Sequence, residues 1–215
     1  MPSEPWSRRR PRPGAGHCRL HLALHIRHGR ILGRGGRRRR PAIRRAVALG
    51  VGITDDTVTR LYEAQYIVGI NDATADLSRP ARLRARCGLG LRQWSGDDAT
   101  APAYRAMGGH GCISVTANVT PALCALLHSA WDNGELARSA ELRDLLDQLN
   151  AARFLKSNPI PVKAALANLK LCTNEVRLPL TRATQATQEK LLAVMAPVIQ
   201  AEEHAARRPA LAMAS

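Results

Sequence analysis

The sequence predicts an α/β fold in which parallel strands are joined by crossover helices and followed by an all-helical C-terminal part. Two patterns carry that expectation. Between residues 47 and 120, short β-branched apolar runs alternate with segments of helical period, as βα units require. After Pro121 the strand-like runs stop and only helix-period segments remain. Hydrophobic residues make up 45% of the 215, enough for a core. No stretch of 18 uninterrupted apolar residues occurs, which excludes a membrane-spanning helix.

The elements read in order as follows. Ile53–Gln65 is a helix with Thr54 at its cap and Asp55 and Asp56 in its first turn, where acidic side chains meet the unpaired N–H groups. Tyr66–Asn71 is a buried strand by its β-branched apolar run. Arg79–Cys87 is a helix with a proline near its start. Leu91–Ser95 is a second strand, Ala99–Met107 a helix, and Cys112–Ala117 a third strand. Helices follow at Leu123–Asp132, Gly134–Phe154, Pro161–Leu171 and Gln185–Ile199, and a charged, alanine-rich tail begins at 201. The expected divisions are therefore an arginine-rich segment over 1–46, a partial α/β layer or barrel over 47–120, a helical region over 121–200 and a tail over 201–215.

Charge separates the first of these from the rest. Residues 1–46 hold fourteen arginines and one acid, a balance of +13, whereas residues 47–215 carry only +2. A folded nucleic-acid domain spreads its basic residues over one face among stacking aromatics; here the aromatics are 3% and unclustered, which argues against nucleic acid as a partner. Three readings of the segment compete: a basic arm that binds nucleic acid through phosphate contacts, a metal site at Cys18, His21, His25 and His28, and out-of-frame translation of a gene rich in G and C. The last is preferred, because such frames yield Arg, Gly, Pro and Ala, and lysine is scarce throughout. Five cysteines at irregular spacing fit a reducing compartment rather than a disulfide scaffold, and the N-terminus lacks the apolar core of a signal peptide. A cytoplasmic setting is expected.

At the level of motifs the chain resembles a known family. IVGIND and ATADLSRP, then SGDDAT, GGHGCISVTANV, SNPIPVKAAL and RLPLT follow one another over Thr54 to Ile199 as in the dihydrodipicolinate synthase family of pyruvate-dependent, class I aldolase-like lyases. The resemblance implies a (β/α)8 barrel with a C-terminal helical extension, of which this chain would hold the C-terminal portion, about three βα units. It also implies a tetrameric cytoplasmic enzyme condensing pyruvate with aspartate semialdehyde, without cofactor or metal. By the same resemblance, the strand Val68, Gly69, Ile70, Asn71 matches the one ending in the Schiff-base lysine, so Asn71 stands at the lysine's position. Gly96 and Ile113 match positions that contact the pyruvate-derived part, and Asn158 matches one that orients the active-site loop. Each also has a purely structural reading, Gly96 as a turn glycine and Ile113 as barrel core. Asp97 and Asp98 could serve acid–base chemistry, but charging the next helix's N-terminus is preferred.

Asparagine cannot replace that lysine. Attack on a carbonyl needs a free amine lone pair, and the amide nitrogen delocalises its own. The nearest lysine in sequence is Lys156, and Lys163 matches a lysine that is not the catalytic one. The relay tyrosines of the family precede the matched region, whereas the first tyrosine here is Tyr62. The arginine for the semialdehyde carboxylate falls at Ala48 in an ungapped register, with Arg44 and Arg45 nearby. A closed barrel of this type takes about 250 residues and eight strands, so three strands leave open edges. Three outcomes follow: an impaired homologue, an active lyase whose codon 71 and upstream frame were misread, or a non-enzymatic protein that pairs with itself or an intact paralogue or binds nucleic acid through its arginine arm.

Overall fold

The computed structural model describes residues 23–24, 42–45, 47–48 and 51–207. Its strands are β1 (Ala23–Leu24), β2 (Ala42–Arg45), β3 (Val47–Ala48), β4 (Val51–Gly52), β5 (Ile67–Asp72), β6 (Arg92–Ser95) and β7 (Gly111–Ser114). Its helices are α1 (Asp55–Glu63), α2 (Arg79–Cys87), α3 (Ala101–Ala106), α4 (Pro121–Asp132), α5 (Leu136–Ala152), α6 (Ile160–Asn168) and α7 (Gln185–Arg207). Cys18, His21, His25 and His28, the candidate metal group among the competing readings, lie outside the described residues.

The main sheet has the order β1-β7-β6-β5-β2. Strands β2, β5, β6 and β7 run parallel, and β1 joins β7 antiparallel. Each parallel strand is followed by a helix, so the described residues hold four βα units, one more than the three expected from the patterning. The fourth strand, β2, lies inside the segment that was read as arginine-rich and structureless. Its register sets Arg44 against Ile70 and Arg45 against Asn71. Pairing is through the backbone, and the run of arginines conceals the alternation by which a strand is read. A two-stranded hairpin of β3 and β4 stands apart from this sheet.

Local chemistry sets the element ends. Thr54 caps α1, its hydroxyl accepting the Thr57 N–H at 3.2 Å, as its sequence position indicates. Strand β7 stops at Ser114, three residues short of the expected Ala117. The N–H groups of Val115 and Thr116 turn out of the ladder to donate to the Asp98 carboxylate.

Two apolar clusters result. The smaller joins Val58, Ile67, Ile70, Leu83 and Leu91 between the sheet and helices α1 and α2. The larger belongs to the helical part and centres on Leu123, Leu142, Leu146, Leu191, Met195 and Val198. Among the described residues no helix is long and apolar enough to cross a membrane.

Helix α7 continues to Arg207, past residue 201 where a tail was expected. Glu202 explains the extension. Its two carboxylate oxygens each accept one N–H at the start of α4, from Ala122 and Leu123, both at 2.8 Å. Thr120 makes no side-chain cap there, so a carboxylate eighty residues away satisfies the donors that a helix start leaves unpaired. Burial raises the Glu202 carboxyl above its ordinary value, and the two N–H bonds offset part of that rise.

Glu202→Ala removes both acceptors and should lower unfolding free energy by about 1–2 kcal/mol, read by urea denaturation. The folded carboxyl lies above the unfolded one, so its contribution is most favourable at acid pH and declines as pH rises through the folded value. The stability of the wild type relative to Glu202→Gln should therefore fall with increasing pH, and a rise would refute the assignment.

Candidate functional site

The end of β5 gathers three of the four residues singled out from the sequence, Asn71, Gly96 and Ile113. Register partners in a parallel sheet share a face, and successive residues alternate. Ile70 packs with Val58 and Leu83 of the helices, Asp72 bonds Arg79 of α2, and the Gln93 side-chain amide donates to the Pro80 carbonyl of α2. These three therefore mark the helix-covered face. Asn71 pairs with Trp94 and Trp94 with Gly111, so Asn71, Trp94 and, two residues along β7, Ile113 share the opposite face. Ile113 is buried.

Asn71 and Gly96 come together. A Cβ on Gly96 would lie 2.6 Å from Asn71 Oδ1 and 2.9 Å from the Ala73 Cβ. Glycine at 96 is thus what lets the loop after β6 approach the end of β5. Asn71 Oδ1 is buried and has no hydrogen-bond partner, an arrangement that costs roughly 1–3 kcal/mol. Asn158 stands apart, exposed in the turn before α6, and makes no bond to that oxygen.

Behind Asn71 lies a network that sequence patterning does not reveal. Asp72 Oδ1 accepts from the Thr74 N–H at 3.0 Å, the Thr74 hydroxyl at 2.8 Å and Arg79 Nη1 at 3.2 Å. Its other oxygen takes the Tyr104 hydroxyl at 3.4 Å. Arg79 continues to the Ile53 carbonyl and to Asp55 at 2.8 Å. Burial, with the Asp72 charge adding, pushes the Tyr104 phenol far above its usual range. For Asp55 burial acts upward, but hydrogen bonds from Arg82 and Arg79 outweigh it and hold the carboxyl low. Tyr104 is accordingly a fixed neutral donor, unsuited to proton transfer near neutrality.

Asp97 and Asp98 are also engaged. Asp97 Oδ2 accepts the Thr100 N–H at 3.0 Å and its hydroxyl at 2.7 Å, in the turn before α3, whose first turn itself holds no acidic residue. Asp98 instead holds Val115 and Thr116 beyond β7. Arg153, at the end of α5, binds both carboxylates, reaching Asp98 at 2.9 Å. Its guanidinium also lies 4.4 Å over the Phe154 ring. With these partners, neither aspartate is left free for acid–base work. Among the described residues no group of three His, Cys, Asp or Glu could hold a metal.

Arg153→Met leaves two part-buried carboxylates without their cation and should cost about 3–5 kcal/mol, measured by urea unfolding. Arg153→Lys should recover only part, because an ammonium cannot serve two carboxylates with the fork of a guanidinium. Full stability in the methionine variant would show that the clamp carries no weight.

The profile of the Dihydrodipicolinate synthetase family matches residues 46–197. The 4-hydroxy-tetrahydrodipicolinate synthase of Rhodospirillum centenum is 49% identical over 139 residues, 65% of this chain and 48% of that protein. Among solved structures, the 4-hydroxy-tetrahydrodipicolinate synthase of Methylacidiphilum fumariolicum SolV superposes with a TM-score of 0.72 at 30% identity, covering 77% of this chain and 57% of that one. The dihydrodipicolinate synthase of Acinetobacter baumannii, solved with pyruvate, gives 0.69 at 34% identity over 74% of this chain and 55% of that one. The chain spans about half the length of the curated relatives it matches, 48% and 50% for two of them. On the sheet order, the motifs around Asn71 and these matches together, the chain belongs to the dihydrodipicolinate synthetase family.

Proposed function

We propose that this chain is a truncated 4-hydroxy-tetrahydrodipicolinate synthase homologue that does not form the family's covalent intermediate with pyruvate. The observation behind this reading is Asn71, at the end of β5 on the sheet face shared with Trp94 and Ile113. The family reaction, condensation of pyruvate with aspartate semialdehyde, begins with attack of a lysine amine on the pyruvate carbonyl. The chain's four lysines are Lys156, Lys163, Lys170 and Lys190. They fall in the turn before α6, in α6, just after it and in α7, so the sheet carries no amine nucleophile. Gly96 and Ile113 supply close backbone approach and apolar surface without the reacting group.

The reading includes pyruvate as the small molecule addressed, no cofactor, a cytoplasmic setting, and association with itself or with an intact paralogue to cover the open sheet edges. The unpaired Asn71 Oδ1 supports a second reading, in which codon 71 encodes lysine and the chain is an ordinary lyase.

Borohydride reduction in the presence of pyruvate, followed by intact-mass and peptide analysis, tests the proposal. The expected outcome is no mass gain for the wild type, with Asn71→Lys as the comparison. A reduced adduct on any of the four lysines of the wild type would overturn it. Resequencing codon 71 decides the second reading, because lysine there restores the nucleophile and asparagine removes that reading.

A further inference from the structure

The helical part carries an open groove between α4, α5 and α7. Its volume is about 640 Å³, within the roughly 300–1,000 Å³ of clefts that hold ligands. Leu123 and Leu142 line it as buried residues, Leu126 and Leu145 stand more open to solvent, and α7 contributes Pro197 and Ala201. The space exists because α7 presents small side chains there, Ala201 and Ala205, whose methyl groups leave room that a leucine would fill. Glu202 lies between them in sequence and holds the Ala122 and Leu123 N–H groups of α4, which fixes α7 against α4 beside the groove. The rim arginines are paired within their own helices, Arg138 with Glu141 at 2.8 Å on α5 and Arg207 with Glu203 at 3.9 Å on α7. What the groove offers an occupant is therefore apolar surface. Leu126 is 39% exposed, so the described residues do not fill it.

The sequence that follows α7 fits this groove. Helix α7 ends at Arg207, which itself lines the groove. Pro209 accounts for that end, because proline disfavours helical backbone at the residue before it. Residues 208–215, which lie outside the described residues, read Arg-Pro-Ala-Leu-Ala-Met-Ala-Ser. Pro209, Leu211 and Met213 alternate with alanines, so an extended chain puts the larger side chains on one side and the alanine methyls on the other. Residues 210–215 reach about 20 Å when extended. The stretch of α7 from Arg207 back to Pro197, which borders the groove, rises about 15 Å. The segment is thus long enough to run the length of the groove.

We propose that residues 208–215 turn back along α7 and occupy this groove of their own chain, with Leu211 and Met213 seated against Leu126, Leu142 and Leu145. Arg208 and Pro209 make the reversal at the rim. The occupant is tethered where the groove begins, so its effective concentration there is on the order of millimolar. Two large apolar side chains then suffice where a free peptide of the same length gains too little to bind. The tail of a second copy has the same side chains without that advantage. Docking withdraws Leu126, Leu145, Leu211 and Met213 from water together, and it joins α5 to α7 by apolar contact where the rim ion pairs stay within one helix.

The test labels the methionine and leucine methyl groups of the full chain with carbon-13 and reads nuclear Overhauser effects between them. The methionines are Met1, Met107, Met195 and Met213, and Met213→Ala identifies the resonance of interest; leucine-to-isoleucine variants identify Leu126 and Leu145. The expected result is cross-peaks from the Met213 methyl to both leucines, at intensities independent of protein concentration. Leu211→Asp leaves the Met213 probe in place and should abolish them. The cross-peaks of Met195, inside the larger apolar cluster, should persist in that variant and show the core intact. Leu126→Asp, changed from the groove side, should also detach Met213. Three results would overturn the proposal. The Met213 methyl could show no leucine cross-peak, or its cross-peaks could survive in Leu211→Asp. In a mixture of differently labelled chains, cross-peaks found only between copies would give the groove to a second copy's tail.

Discussion

A single buried carboxylate holds the end of strand β5. Asp72 is almost fully enclosed, and it accepts from Thr74, Arg79 and Tyr104. Through Arg79 it reaches Asp55 at the start of α1. One side chain on β5 therefore ties together two helices, the following loop and the tyrosine of α3. An ionised carboxylate in such a place is tolerated only when its lone pairs are filled by charged and polar donors. Removing any donor leaves the charge under-compensated, so the elements around it are constrained as a group. The second clamp, Arg153 on Asp97 and Asp98, does the same between the sheet loops and the helical part.

The regular elements of the body were legible in the sequence because each carries its own local signal. Thr54 with Asp55 and Asp56 marks a helix start, and the IVGIND run marks a buried strand. The arginine-rich stretch hid β2, whose pairing is carried by backbone groups that composition does not report. The end of α7 was missed for a different reason. Glu202 looks like the beginning of a charged tail, and only the distant start of α4 reveals its use as a cap. The same limit applies to the site. Asn71, Gly96 and Ile113 could be singled out from motif order. The Asp72–Arg79, Asp98–Arg153 and Asp97–Arg153 pairs span 7, 55 and 56 residues, and no periodicity encodes them.

Asp97 and Asp98 show how pairing decides chemistry. Adjacent carboxylates at a strand end invite an acid–base role when seen as sequence. In the fold each has a backbone duty, at Thr100 and at Val115 with Thr116, and both share a guanidinium. A group so occupied would have to break several charge-assisted bonds before moving a proton, each worth roughly 1.5–3 kcal/mol. Their place near Gly96 serves to set the loop's shape.

Position 71 separates the requirements of the fold from those of the reaction. Asp72 and Ile70 look toward the helices and carry structural contacts, whereas Asn71 looks to the other face, where its Oδ1 has no hydrogen-bond partner. A change from lysine to asparagine there leaves every bond of the Asp72 network in place. Its structural cost is one unpaired amide oxygen, roughly 1–3 kcal/mol, small beside the two apolar clusters and the two ionic clamps. Its chemical cost is complete for a route that needs an amine, since no other residue of the sheet supplies one. The alternation of a β-strand thus places the scaffold contacts on one face and position 71 on the other, so the residue there can change while the scaffold is kept.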